Sequence, residues 1–258
     1  MAGDYDTIRN TVLKAMEDSM SNITRRQAIG TAALSATGIA LAGNAGAAAA
    51  QGAGSGAAAF AGKHTPKQLR FNPAKLTGLS ERLITSHWEN NYQGSVRGLN
   101  TIETRLAAAM ADPDFPAVAY AGLKREELHR TGSIVLHEYY FDALGGSGNP
   151  GGSIYEALDG WFGSFAAWEA EFRRTAMSLA GGSGWCILSY NRHTASLHNY
   201  WASDHMHGAI NAAPLIALDM YEHSYHMDYG AAAAKYVDAF MANLDWEVVD
   251  ARYRAALS

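Results

Sequence analysis

Leu215-Ile216-Ala217-Leu218-Asp219-Met220-Tyr221-Glu222-His223 is the stretch on which the reading of this chain turns. An uninterrupted apolar run of this length, closed at once by an acid, reads as a short buried strand. Asp219 and His223 are four residues apart. If the chain turns into helix after the strand, both side chains face the same way and can share one ion. A carboxylate and an imidazole make half of a metal site, so the other half must come from elsewhere in the chain.

Working outward, helical patterns carry the remaining candidates. From Ser80 the residues Leu83, Ile84, His87, Trp88, Asn91, Ser95, Leu99, Ile102 and Leu106 follow three- and four-residue steps, with Asp112-Pro113 as the stop. A second helical stretch, from about Lys124 to Leu144, places His137 in its apolar stripe with Tyr140 and Phe141. The loop from Gly145 to Gly152 ends it; no strand leads in and no lysine follows, so it reads as a connector rather than a phosphate cradle. Helices cover Ser153 to Leu179. Trp185 to Tyr190 and Ser196 to Ala202 are aromatic and branched segments that pair with Leu215 to Leu218, and further helices close the chain.

This order predicts an α+β fold: a long N-terminal helical hairpin at 63–150, then a C-terminal α/β metal-binding part at 151–258 with a small three-stranded antiparallel sheet. An antiparallel hairpin can bring His87 and His137 together, so four groups (His, His, Asp, His) can converge from both halves. Three neutral imidazoles and one carboxylate suit manganese, iron or zinc rather than calcium or copper(I).

Composition narrows the field. The 258 residues carry a formal net charge of -5, with 48% hydrophobic and 17% charged residues. The net acidity, with no Lys/Arg cluster to override it, argues against nucleic acid. A single cysteine, Cys186, excludes an internal disulfide, a zinc ribbon and an iron-sulfur centre, and reads as a small core residue between Trp185 and Ile187.

Residues 1–62 read differently from the rest. Thr24-Arg25-Arg26-Gln27 precedes the uncharged stretch Ala28 to Ala42 and the small-residue run Ala45 to Ala50, the order of an export signal followed by an Ala/Gly-rich linker. The apolar core, about fifteen residues, falls short of the roughly 20 that span a bilayer, so no stable membrane anchor is expected. The paired arginines resemble the twin-arginine signal, although Ala28 stands where a bulkier apolar residue is usual, and they imply a periplasmic or secreted protein. Cleavage near Ala50 removes four acids (Asp4, Asp6, Glu17, Asp18) and four bases (Arg9, Lys14, Arg25, Arg26), leaving the net charge at -5.

From about Lys75 to Tyr253 the blocks resemble the iron/manganese superoxide dismutases. They are the Ser80 to Leu99 helix with His87, then His137-Glu138-Tyr139-Tyr140-Phe141, Gly182-Ser183-Gly184-Trp185, Asp219-Met220-Tyr221-Glu222-His223-Ser224-Tyr225 and Asn243-Leu244-Asp245-Trp246-Glu247. Tyr221 stands where that family's Asp-x-Trp-Glu-His signature has tryptophan. The resemblance implies one iron or manganese ion per subunit on His87, His137, Asp219 and His223, and Tyr140 and Trp185 as aromatic walls. It also implies superoxide as the small-molecule substrate, converted to oxygen and hydrogen peroxide, and a homodimer with Glu222 and His226 near the interface.

Three departures qualify what is implied. A glutamine usually tunes the bound solvent from one of two positions; here one is Ser133, too short to reach, and the other falls near Asp204-His205, where His205 can substitute. The channel histidine and tyrosine are replaced by Asn91 and Ser95, and the tyrosine that pairs with that histidine across the dimer by His226. Asn91 and His226 can exchange that hydrogen bond, while Ser95 leaves a wider mouth. The alternatives are therefore a dismutase-like metal-dependent oxidoreductase acting on a different small substrate, or a metal-binding structural homologue with little turnover.

Overall fold

The computed structural model describes residues 57–258; the proposed signal lies outside the described residues. Helix α1 spans Glu81–Ser86 and starts where Ser80, in extended conformation, turns its hydroxyl onto the Leu83 N–H at 3.1 Å. It does not run on as a plain α-helix. His87–Tyr92 form a π-helical segment before α2, Gln93–Met110, resumes the ordinary ladder. The wider turn accommodates an extra residue, so the buried face advances: Tyr92 is buried, while Trp88 and Asn91 are only half-buried. π-Turns of this kind are frequent at functional sites, and this one begins at His87.

Helix α3 runs from Ala117 to Asp142 and packs along α2. It begins seven residues before the apolar pattern does, because its first turns face solvent: Val118 is 83% exposed and contributes nothing to a buried stripe. The glycine connector that follows is pinned to the C-terminal part, with Gly146 N–H donating to Asn243 O at 3.0 Å and Gly148 N–H to Leu244 O at 3.1 Å. Helices α4 (Gly152–Phe162) and α5 (Phe165–Met177) lead to the sheet.

The sheet has three antiparallel strands, β1 (Trp185–Asn191), β2 (Ser196–Ala202) and β3 (Ala212–Asp219), in the order β2-β1-β3. Strand β3 is longer than the apolar run implies. It extends back through Pro214, which is tolerated because β3 is an edge strand and the pairing slips between Leu188 and Ser189. Cys186 is fully buried in the central strand, as its neighbours suggest.

After β3 the chain takes a 3-10 turn at Glu222–Ser224, not an α-helix, then the short α6 (His226–Tyr229), α7 (Ala233–Ala242) and α8 (Trp246–Leu257). One hydrophobic core runs from Leu79 to Ala256 through helices and sheet. Among the described residues, no helix is long and apolar enough to cross a membrane.

Asn243 closes the ends of this core. Its Oδ1 accepts from Thr77 N–H at 2.8 Å, and its Nδ2 donates to Thr77 O and Ala239 O, both at 2.7 Å. Replacement of Asn243 by alanine strands buried backbone groups on both segments. It should cost about 2 kcal/mol and lower the melting temperature by about 4–8 °C in a calorimetric scan.

Candidate metal centre

Four side chains from four different pieces of backbone meet in the core. His87 opens the π-turn, His137 lies on α3, Asp219 is the last residue of β3, and His223 sits in the 3-10 turn. Their ligand atoms all lie within 4.8 Å of one another. Asp219 Oδ2 is the common point: His87 Nε2 lies 3.1 Å from it, His223 Nε2 3.2 Å and His137 Nε2 3.7 Å. The 3-10 turn achieves what a helix would have done for Asp219 and His223.

The donor set fits a transition-metal ion. Bonds of about 2.0–2.2 Å to one cation place ligand atoms roughly 3 Å apart at a right angle and roughly 3.6 Å at 120°. The observed separations from Asp219 Oδ2 span that range. His137 Nε2 is buried and has no hydrogen-bond partner among the described residues, although it faces the other three groups. An orphaned acceptor of this kind costs about 1–3 kcal/mol, which a cation would remove.

Each piece of the centre is held from behind. Asp219 Oδ1 accepts from the Tyr221 N–H at 2.9 Å, leaving Oδ2 for the histidines. The Asp219 carbonyl accepts from Ser224 Oγ at 2.8 Å and from the Tyr236 hydroxyl at 2.7 Å. His137 Nδ1 donates to the Ser133 carbonyl at 2.7 Å, which leaves the lone pair on Nε2. Tyr92 donates to Glu138 Oε1 at 2.9 Å and accepts from Lys67 N–H at 2.7 Å, so the lead-in segment is tied to both ligand-bearing helices.

The protonation states follow from burial and charge. Burial, with His87 second, takes the His137 imidazole down to about 3, and burial lowers His87 against the pull of Asp219. Burial pushes the Asp219 carboxyl up, but the charge and hydrogen bond of His223, then those of His87, reverse this and hold it well below the usual carboxylate range. For His223 burial acts downward, yet the Asp219 charge raises it overall.

The other expected site residues are placed as follows. The Tyr140 ring lies 5.1 Å from His87 and the Trp185 ring 5.1 Å from His137, so both border the centre. His205 lies 5.8 Å from His137, ring to ring. Trp185 Nε1 donates to His205 Nδ1 at 2.9 Å; since indole only donates, neutral His205 carries its proton on Nε2. Burial takes this imidazole down to about 4. The Tyr221 ring stacks with His205 at 4.9 Å and with His223 at 5.4 Å. Asn91 lies half-buried within the π-turn with no side-chain hydrogen bond among the described residues, and His226 is exposed at the start of α6. Ser95 is buried and meets Ser133, with 2.8 Å between their hydroxyls.

Sequence reasoning missed several supports. Ser133 does hold a functional group, but the group is His137. Gly132 carries no signal in the sequence: a Cβ there would lie 1.9 Å from the His205 carbonyl oxygen, so only glycine lets the His205 loop rest on α3. The partners Tyr236 and Ser224 come from segments with no signal of their own beyond apolar periodicity and proximity to Asp219.

Residues 150–252 match the family described as iron/manganese superoxide dismutases, C-terminal domain. The chain is 53% identical over 192 residues to a superoxide dismutase [Fe] of Cupriavidus metallidurans, covering 74% of this chain and 96% of that one. It is 33% identical over 181 residues to a superoxide dismutase [Mn] of Halobacterium salinarum, covering 69% and 88%. With a superoxide dismutase [Fe] of Aquifex pyrophilus the identity is 32% over 202 residues, covering 76% and 93%.

The depressed imidazoles set a pH dependence for the metal-free protein. His137 binds a proton near 6.5 when unfolded and only near 3 when folded. The unfolded state therefore holds more protons in that window, and stability falls as pH falls through it. His87 acts in the same direction, and Asp219 adds to it below the usual carboxylate value; His223, with its raised pKa, opposes them. The melting temperature of metal-free protein should drop between pH 7 and pH 4, and His137→Gln should flatten that slope.

Proposed function

The chain belongs to the iron/manganese superoxide dismutase family, and on that premise we propose that it dismutes superoxide at one iron or manganese ion held by His87, His137, Asp219 and His223. The observation that carries this reading is the convergence of three imidazole nitrogens on Asp219 Oδ2, with His137 Nε2 buried and unpaired beside it. The ion supplies the one-electron couple that oxidises one superoxide to oxygen and reduces the next, with two protons, to hydrogen peroxide.

The chain's own residues set the conditions for that couple. Asp219 and the three neutral imidazoles present a net charge of -1, which a trivalent or divalent cation reverses. An anionic substrate is then drawn by the local charge of the site, although the whole protein carries -5. His205, locked by Trp185 with its proton on Nε2, is a neutral donor beside the ligands. Tyr140 and Trp185, both fully buried, exclude water from the walls of the site. Tyr221 stacks with both His205 and His223.

The assembly and address of the protein complete the proposal. The protein is a homodimer whose interface includes Glu222 and His226; both are exposed and lie within a few residues of the ligand His223, which supports a second copy seated over the mouth of the site. Residues 1–62 direct it to the periplasm or the medium by the twin-arginine route, a reading supported by Arg25-Arg26, the uncharged stretch behind them and the small residues to Ala50.

Metal analysis and superoxide-removal assays on protein reconstituted separately with iron and with manganese test the chemistry. One ion per subunit and activity with at least one metal is the expected result; metal without activity for either overturns the reading. His87→Ala or Asp219→Ala should abolish stoichiometric binding, and retention would mean that other residues are the ligands. For the address, the full chain expressed in a twin-arginine-competent bacterium should appear in the periplasm shortened at its N-terminus. The Arg25→Lys/Arg26→Lys chain should stay in the cytoplasm; unchanged export would overturn that part.

A further inference from the structure

Two buried serines stand between the helices that carry His87 and His137, and the proposed chemistry makes no use of them. Ser133 is 1% exposed and Ser95 4%. Ser133 precedes His137 by one turn of α3, and both of its oxygens approach the same nitrogen: its carbonyl lies 2.7 Å and its hydroxyl 3.2 Å from His137 Nδ1. The short contact to a carbonyl requires the proton on Nδ1. The hydroxyl is then a second acceptor for that N–H, and its own proton is free for Ser95 Oγ, 2.8 Å away.

Ser95 belongs to α2, which continues the π-turn that presents His87. One line of hydrogen bonds therefore runs from the helix carrying one imidazole to the outer nitrogen of the other. The two imidazoles are treated unequally: His87 Nδ1 is buried with no partner among the described residues. The ring plane of His87 is left to packing, against Tyr140 and Phe141. That of His137 is set by hydrogen bonds that also fix its distance from α2.

We propose that Ser133 and Ser95 are a linked pair of positioning residues: the Ser133 carbonyl fixes the tautomer of His137, and the two hydroxyls set its ring angle and tie it across to the helix of His87. This inference rests on the reading of His137 as a metal ligand. Ser133 acts on the imidazole directly and Ser95 acts through Ser133. Outer partners of metal-bound histidines change metal affinity by about 10–100-fold when removed. A pair that only filled space between helices would change stability and leave the metal's properties alone.

The test uses the iron-loaded full chain and three variants, Ser133→Ala, Ser95→Ala and the double variant. Metal loss to excess chelator, the optical spectrum and the reduction potential are measured beside thermal melting. Ser133→Ala, which keeps the carbonyl bond and removes only the hydroxyl, is expected to lose iron up to about tenfold faster, with a shifted spectrum and potential. Ser95→Ala should shift the same quantities less, and the double variant should match Ser133→Ala, because the outer serine acts through the inner one. Unchanged spectrum, potential and chelation rate in both single variants overturn the proposal even if melting falls. If Ser133→Ala does not fold, Ser95→Ala decides alone by the same criterion. Wild-type protein that holds neither iron nor manganese overturns the ligand assignment instead, so the two failures are told apart.

Discussion

A carboxylate with no solvent exposure, ringed by three imidazole nitrogens, is the constraint on which this structure depends. Burying Asp219 as an anion costs several kcal/mol unless positive charge stands beside it. Only His223, which is partly exposed, has its proton affinity raised; burial leaves His87 and His137 neutral. The protein alone therefore half-solves its own electrostatics. A cation at the focus of the four groups satisfies the orphaned His137 nitrogen and the carboxylate together, which makes metal binding part of the folding free energy.

That requirement explains the choice of elements. No two of the ligands come from the same regular segment, so the centre can form only when the π-turn, α3, the end of β3 and the 3-10 turn are all in place. Each is fixed by contacts remote in sequence. Tyr236 from α7 and Ser224 grip the Asp219 carbonyl, and Tyr92 and Glu138 tie the π-turn and α3 to the lead-in at Lys67. The Asn243 clamp holds Thr77 ahead of α1. Chain segments with little apolar surface of their own are thereby recruited to the site by buried polar bonds.

The parts of this arrangement that obey a period were legible in the sequence. The stripe through Leu83, Leu99 and Leu106 announced the first helix, the apolar run at Leu215 announced β3, and the four-residue interval from Asp219 to His223 announced a shared ion. What escaped was of two kinds. The π-turn breaks the period, so a 3.6-residue pattern places Trp88 and Asn91 inside and leaves out the buried Tyr92; no such pattern signals an inserted residue. Contacts between distant segments, such as Tyr236 with Asp219 or Gly132 beneath His205, have no local signature at all. The chemistry of each residue was visible, but its partner was not. The first turns of α3 escaped for the opposite reason, since Val118 and its neighbours bury nothing and so carry no period.

Control of the site is concentrated on a short length of α3. Gly132 admits the loop that carries His205, Ser133 receives the outer N–H of His137, and Tyr140 packs on His87 and lies 3.3 Å from the Tyr236 hydroxyl, which in turn holds Asp219. Side chains three and four residues apart on a helix share a face, so one rigid element sets the relative positions of a ligand, a proton donor's backbone and an aromatic wall. A rotation of α3 by a few degrees would move all of them together. Ser95, buried on α2, meets this ruler at Ser133, whereas Asn91 makes no side-chain hydrogen bond among the described residues. The ligand His137, the wall residue Tyr140 and the seat of the His205 loop thus share one support, so the metal centre and its surroundings are set together by the placement of α3.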